Sequence, residues 1–281
     1  MTDARITALN LHPVKSCGGI ALDRATITVR GLAATGAGDR EWMVVDGDGR
    51  FVSQREHPRL ALVGTALSPG SLVLTAPGRQ PLAVPTRAAV GATRDVVVWR
   101  STVAAHDMGG HAAGWLSAHL GVDVRLVRFD PAHSRMCNPE FAGDSGAHTA
   151  FADGYPLLVI GEASLAGLNA RLAAKSEPGL PMNRFRPNLV VGGLLPHDED
   201  HLDTIEADGV VLKLVKPCVR CQITTTDQVT AQVGIEPLAT LGGYRNDVRM
   251  GGVTFGMNAI VVAGAGRELA VGARAICTYR F

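Results

Sequence analysis

Turn residues interrupt this chain too often for long elements to form. Its 281 residues include 33 glycines and 15 prolines. The runs between them are short and β-branched, the pattern of many short antiparallel strands. "ATITV" reads as a strand, and "REWMVVDGDGRFVSQR" predicts two strands around an Asp-Gly turn. "LALVGTALSPGSLVLTAPGRQPLAV" continues the pattern with Pro-Gly turns. A first helix is expected over 107–120, capped by Asp107 and stopped by Gly121. A second, "EASLAGLNARLAAK", follows the strand "PLLVIG" and carries Leu165, Leu168 and Leu172 on one side. "IEADGVVLKLV" is a hairpin, and "MNAIVVAGAGRELAVGARAICTYR" supplies the last strands. The fold expected is α+β and β-rich: a β-rich N-terminal part, a barrel or a sandwich, packed on a mixed C-terminal part, the two meeting near residue 122.

Composition excludes several function classes. A net charge of +1 gives no general attraction to nucleic acid or to an anionic membrane. Aromatic residues, at 5%, are too few for a base-stacking platform. The apolar runs "NAIVVAGAG" and "YPLLVIG" fall short of the roughly 20 residues that span a bilayer. "MTDARITALN" lacks the basic start and apolar core of a secretory signal. A cytoplasmic protein without nucleic-acid or membrane partners is expected. Its five cysteines are then reduced thiols.

Two of those cysteines, Cys218 and Cys221, sit together in "KPCVRCQITTTD". A structural zinc site usually takes two such pairs, and Cys17, Cys137 and Cys277 are isolated. A thioredoxin-like pair opens a helix, whereas "QITTTD" predicts continued strand. Two small buried side chains, or a thiolate ligand for a soft or high-valent metal, are the other readings. The acidic run "PHDEDHLD" reads as a solvated loop. Residues 130–154 are polar and turn-rich, either a functional loop or a partly disordered one. Lys15 in "PVKS", Arg40 in "GDREW" and the arginines of "RFRPN" lie beside turns or strand ends. On a strand, Arg184 and Arg186 point the same way. Guanidinium forks and an ammonium together suit a phosphate-bearing ligand.

The ordered segments "HPVKSC", "GDREWMVVD", "SQREHPRLALV", "DGYPLLVIGEASLAGLN", "RFRPNLVV", "KPCVRCQITTTD" and "TFGMNAIVVAGAGRELAVGA" resemble the MOSC family. The likeness is to the branch with an N-terminal MOSC β-barrel domain, which includes the mitochondrial amidoxime-reducing component and its bacterial relatives. It implies an N-terminal barrel domain over residues 1–122 and a MOSC domain over 123–281. It implies a molybdenum cofactor (Mo-molybdopterin), with Cys221 as metal ligand and catalytic residue. Lys15, Ser16, Arg40, Arg186 and Asn188 map to cofactor-holding positions, and backbone groups around Arg220 would complete the pocket. That branch has a Thr-Ser pair where Gly154 and Tyr155 stand here, so a hydroxyl contact is altered there; Tyr155 is kept as a cofactor-binding candidate at that position. The activity implied is reduction of the N–O bond of small N-hydroxylated substrates. Electrons would come from an external donor of the ferredoxin or flavin reductase type. The alternative is a cofactor- or sulfur-carrier protein without turnover.

Overall fold

The computed structural model describes residues 4–86 and 92–280. Seven strands close into a barrel. Ala4–Leu11 pairs with Leu189–Gly192 on one side and Arg274–Tyr279 on the other. The ring continues through Leu202–Ala207, Val210–Val219 and Gly252–Ala263 to Leu157–Gly161, which returns to Leu189–Gly192. All neighbouring pairs are antiparallel except Leu157–Gly161 with Leu189–Gly192, which is parallel and joined across the helix Glu162–Ala173.

Alternation along the strands sorts the side chains. Leu157 and Val159 join Ile6, Leu189, Val191, Ile205, Leu212 and Met257 in the barrel core. Leu158 and Ile160, facing the other way, join Leu168 and Leu172 of the helix together with Phe185 and Phe255. Leu165, on the same helix, is only half-buried.

The N-terminal half builds further, smaller sheets. Thr93–Val98, Ser101–Asp107, Arg125–Phe129 and Trp42–Val45 pair in that order, and Gly64–Ser68, Ser71–Thr75 and Leu82–Pro85 form a meander. A helix, Gly110–Leu120, lies against both, burying Ala112, Leu116 and Leu120 with Trp42, Leu72 and Leu74. Strands cross the division expected near residue 122. Ala4–Leu11 is a stave of the barrel otherwise built from C-terminal strands, and Glu268–Ala270 pairs with Arg24–Thr28. Among the described residues, no helix is long and apolar enough to cross a membrane.

Several local expectations are corrected. Gly109, not Asp107, precedes the first helix; Asp107 ends a strand and binds Arg125 through both carboxylate oxygens. The Asp-Gly turn after Val45 is followed by isolated bridges at Arg50 and Phe51 rather than a second strand. "PHDEDHLD" is not a solvated loop. It holds a 3-10 turn, Asp198–His201, whose Glu199 is fully buried and accepts from Gly161 N (3.1 Å) and Ser164 Oγ (2.6 Å). That carboxylate ties the start of the Glu162–Ala173 helix to the loop.

Gly256 is where the barrel accepts no side chain. Its φ is 75°, and a Cβ there would lie 2.6 Å from Ile160 Cγ1 and 2.8 Å from the Val159 carbonyl oxygen. Gly256→Ala is expected to destabilise the protein by about 2–4 kcal/mol, from left-handed strain plus overpacking. Gly47→Ala, with nothing within 4 Å of the added methyl, should leave the thermal midpoint unchanged. Paired melting curves check both.

Candidate functional site

One cavity collects the residues singled out above. Lys15, Ser16, Arg40, Tyr155, Arg186, Asn188, Arg220 and Cys221 all line it, with Phe51, Trp99, Asp153, Cys218, Thr224 and Asn258. It measures about 100 Å³ and reaches the surface where Asp153 and Cys221 are exposed. A second cavity of about 940 Å³ shares Arg186 as a wall and has His12, Leu165 and Met182 among its lining.

Cys221 comes to the rim because its strand ends there. Val210–Val219 slips register against Gly252–Ala263 between Pro217 and Val219. Arg220 N still donates to Val253 O (2.7 Å), and Cys221 then begins a 3-10 turn, Gln222–Thr225. That turn replaces the continued strand expected from "QITTTD". Thr224 donates to the Cys221 carbonyl from both its amide (3.1 Å) and its hydroxyl (2.9 Å), anchoring the backbone and leaving the side chain at the surface. Cys221 is the exposed cysteine of the five. Burial pushes the thiols of Cys17 to about 12 and of Cys137 and Cys277 to about 11, so these three stay protonated. Cys218 packs partly into the apolar cluster around Phe185, with Arg220 Nη1 2.9 Å from its sulfur.

The cations converge from separate elements. Arg40 donates to Asp39 Oδ2 (2.5 Å), Asn188 Oδ1 (2.9 Å) and the Arg186 carbonyl (3.1 Å). Arg186 donates to the Cys17 carbonyl (2.5 Å) through Nη1, while its buried Nη2 has no partner. Burial, then the charge of Arg40, draws the Arg186 guanidinium down to about 10, so it stays cationic at neutral pH. Lys15 Nζ meets Asp153 Oδ1 at 2.6 Å and lies over the rings of Phe51 and Trp99. Burial lowers its pKa and the Asp153 charge opposes that shift. Arg184 goes elsewhere. No strand carries "RFRPN"; Arg184 ends a 3-10 turn and binds Thr225 O and Asp227, so it and Arg186 diverge.

Two site residues differ in what they can offer a ligand. Asn188 has no hydrogen-bonding capacity left for a ligand. Its Nδ2 donates to Asp39 Oδ1 (2.8 Å) and Asn10 O (3.2 Å), and its Oδ1 accepts from Arg40 and from Leu158 N (3.1 Å). It positions Arg40. Tyr155 presents a buried hydroxyl without a partner, and burial pushes its pKa up to about 12, so it is a neutral donor.

Backbone strain concentrates here. Of nine non-glycine residues with positive φ among those described, four line the cavity: Ser16 (69°), Arg40 (46°), Trp99 (57°) and Arg186 (56°). Such conformations persist only where the surroundings over-determine them, and they gather at ligand sites. Sequence reasoning missed Trp99, Asp153 and Arg135. Trp99 turns a tight hairpin that lacks the Asn-Gly signal of such turns. Arg135 holds the loop by donating to the carbonyls of Ala150 (3.0 Å), Ala152 (2.5 Å) and Asp153 (2.9 Å). No local pattern announces a clamp made to distant backbone.

Residues 3–123 match the MOSC N-terminal beta barrel domain and residues 146–274 the MOSC domain. The chain is 36% identical to the mitochondrial amidoxime reducing component 2 of Bos taurus, covering 85% of this chain and 72% of that protein. It is 34% identical to the mitochondrial amidoxime-reducing component 1 of Homo sapiens, with the same coverage. The chain belongs to the MOSC family. A solution structure of a Bordetella bronchiseptica protein is 30% identical over 40% of this chain and 92% of its own, but with a TM-score of 0.33 it does not bear on the fold. In this MOSC chain, the cavity draws its lining from both matched segments.

Asn188→Ala would leave Arg40, Asp39 and the Leu158 amide short of partners inside the protein. A loss of about 2–3 kcal/mol is expected from buried groups left unsatisfied. Asn188→Asp should also destabilise, because it turns a carboxylate oxygen toward Asp39. Denaturant midpoints for the two variants check this.

Proposed function

We propose that the protein is a molybdenum-cofactor-binding oxidoreductase that reduces small N-hydroxylated compounds with electrons from a separate donor protein. One observation carries the reading: an exposed thiol, Cys221, stands at the rim of a cavity floored by Lys15, Arg40 and Arg186. The naming of its relatives as amidoxime-reducing components supports the reaction class.

The donor set fits the cofactor. A thiolate suits a soft or high-valent metal, and the cations suit an anionic carrier. The unpartnered Arg186 Nη2 and Tyr155 hydroxyl are donors that an anionic or carbonyl-bearing ligand would satisfy. A space of about 100 Å³ accommodates the acidic end of such a ligand, and the rest would lie toward the open rim. When bound, the cofactor supplies the two-electron chemistry that converts an N–OH group, with two protons, to N–H and water.

The chain's own residues then have separate tasks. Cys221 Sγ ligates the metal. Lys15, Ser16, Arg40 and Arg186 hold the acidic end, and Asn188 and Asp39 keep Arg40 aimed. Arg220 braces the cysteine turn through the Phe185 carbonyl (2.6 Å) and sets a positive charge beside Cys218. Among the described residues, no group of three or more His, Cys, Asp or Glu side chains could cage a metal. Residues 1–122 and 123–281 are proposed as the two domains, and the cytoplasm as the location, which fractionation of the native cell checks. The donor is proposed to be of the ferredoxin or flavin reductase type.

Protein made in a host that synthesises the cofactor should contain molybdenum and pterin. Cys221→Ser is expected to lose most of the molybdenum, and Cys218→Ser to retain it. Equal retention overturns the assignment of Cys221. Wild type should reduce an N-hydroxylated base with an artificial electron donor and fail with NAD(P)H alone. Cofactor retention without turnover would identify a carrier instead.

A further inference from the structure

Lys15 differs from the other cations of the cavity in how its charge is balanced. Arg40 is paired with Asp39, whose side chain is fully buried, and Arg186 with a main-chain carbonyl. The ammonium of Lys15 is buried, with its side chain 7% exposed. Its counterion Asp153 is on the surface, with its side chain 80% exposed. One carboxylate oxygen, Oδ1, takes both contacts, from Lys15 Nζ (2.6 Å) and from Trp99 Nε1 (3.1 Å). Releasing that oxygen breaks two bonds and returns a carboxylate to water, where it is well solvated. Releasing Asp39 would strand a buried charge.

The surroundings hold this arrangement in place. Trp99 is a bulky residue in the left-handed region, 42% exposed, set edge-to-face on Phe51 with ring centroids 5.5 Å apart. Arg55 lies over its ring at 4.5 Å. Phe51 and Trp99 flank the Lys15 ammonium at 4.9 and 5.5 Å. Arg135 fixes the backbone of Ala150, Ala152 and Asp153, so Asp153 is delivered to Lys15 from a clamped loop. The charges acting on Lys15 are Asp153, Arg135 and Arg40. Lys15 is therefore walled on two sides by rings, and a carboxylate stands against its ammonium.

We propose that Asp153, held by Trp99, is a specificity-determining gate: it occupies Lys15 until a dianionic phosphate monoester replaces it. The built-in competitor sets a threshold. A ligand with one negative charge exchanges one monoanion for another and gains little. A phosphate monoester, which carries nearly two charges at neutral pH, gains electrostatic energy from Lys15 and the neighbouring arginines. Selectivity thus comes from an internal repulsive element as well as from attraction. The inference rests on the reading of the cavity as an anion site, but it does not require the metal.

The test uses the full chain without cofactor, with methyl phosphate as the dianion and dimethyl phosphate as a monoanion of similar shape, at pH 8. Binding is read by calorimetry and by tryptophan fluorescence, since release of Asp153 removes the partner of Trp99 Nε1. Trp99→Phe identifies that part of the signal. Wild type should prefer methyl phosphate. Asp153→Asn keeps the shape and removes the competing charge. It should bind dimethyl phosphate about fivefold more tightly, the effect of losing an ion pair worth about 1 kcal/mol. The fluorescence change on binding should shrink in that variant. If methyl phosphate binds both proteins and dimethyl phosphate affinity is unaltered by Asp153→Asn, the gate is refuted and the anion site stands. If neither protein binds methyl phosphate, the anion site is refuted and the gate with it.

Discussion

A buried carboxylate holds the two halves of this protein together. Asp39 Oδ1 accepts from His12 N (2.9 Å) and Asn188 Nδ2 (2.8 Å), and Oδ2 accepts from Arg40 (2.5 Å). Its side chain is fully buried. A charge so placed needs a counterion and hydrogen bonds in place of water, and removing one partner leaves the rest uncompensated. His12, Asp39 and Arg40 come from the N-terminal half and Asn188 from the strand side of the barrel. This network ties the halves at the cavity, in addition to the strand pairs that already join them. His12 itself stays neutral: burial first, then the charges of Arg40 and Arg186, hold its pKa well below the usual value.

Much of the architecture was legible because it rests on local rules. Asp208-Gly209 closes a hairpin as its dipeptide predicts, with Ala207 facing Val210. Gly121 ends its helix at φ 79°. The cysteine pair, the Lys15-Ser16 segment and Arg186-Asn188 were legible as an ordered set of motifs. What they do individually was not. Asn188 looks like a ligand contact in sequence and is a brace in space, because its neighbours Asn10, Asp39 and Leu158 lie far away along the chain. Arg184 and Arg186 look like a pair, but a turn separates their directions. Glu199 looks solvated within an acidic run, yet it is buried, where it accepts from the helix start at Gly161 and Ser164. Its charge pattern could not reveal that burial.

The cavity's geometry depends on conformations that ordinary residues avoid. Ser16, Arg40, Trp99 and Arg186 adopt left-handed backbone in four different segments, each held by long-range bonds. Propensity reasoning assigns none of them that conformation. Their agreement on one cavity is a product of tertiary structure: the barrel and the N-terminal sheets supply the energy, and the cavity stores part of it as strain.

The position of Ala4–Leu11 in the barrel has a temporal consequence. Its two neighbours in the ring, Leu189–Gly192 and Arg274–Tyr279, both lie far along the chain. Ala4–Leu11 can pair early with the nearby Ile20–Leu22, whereas closing the ring depends on contacts between segments distant along the chain, the kind that is slow to form. The meander Gly64–Ser68, Ser71–Thr75 and Leu82–Pro85 can form from adjacent segments meanwhile. The cavity, whose lining runs from Lys15 to Asn258, is likewise complete only once segments far apart in sequence have met.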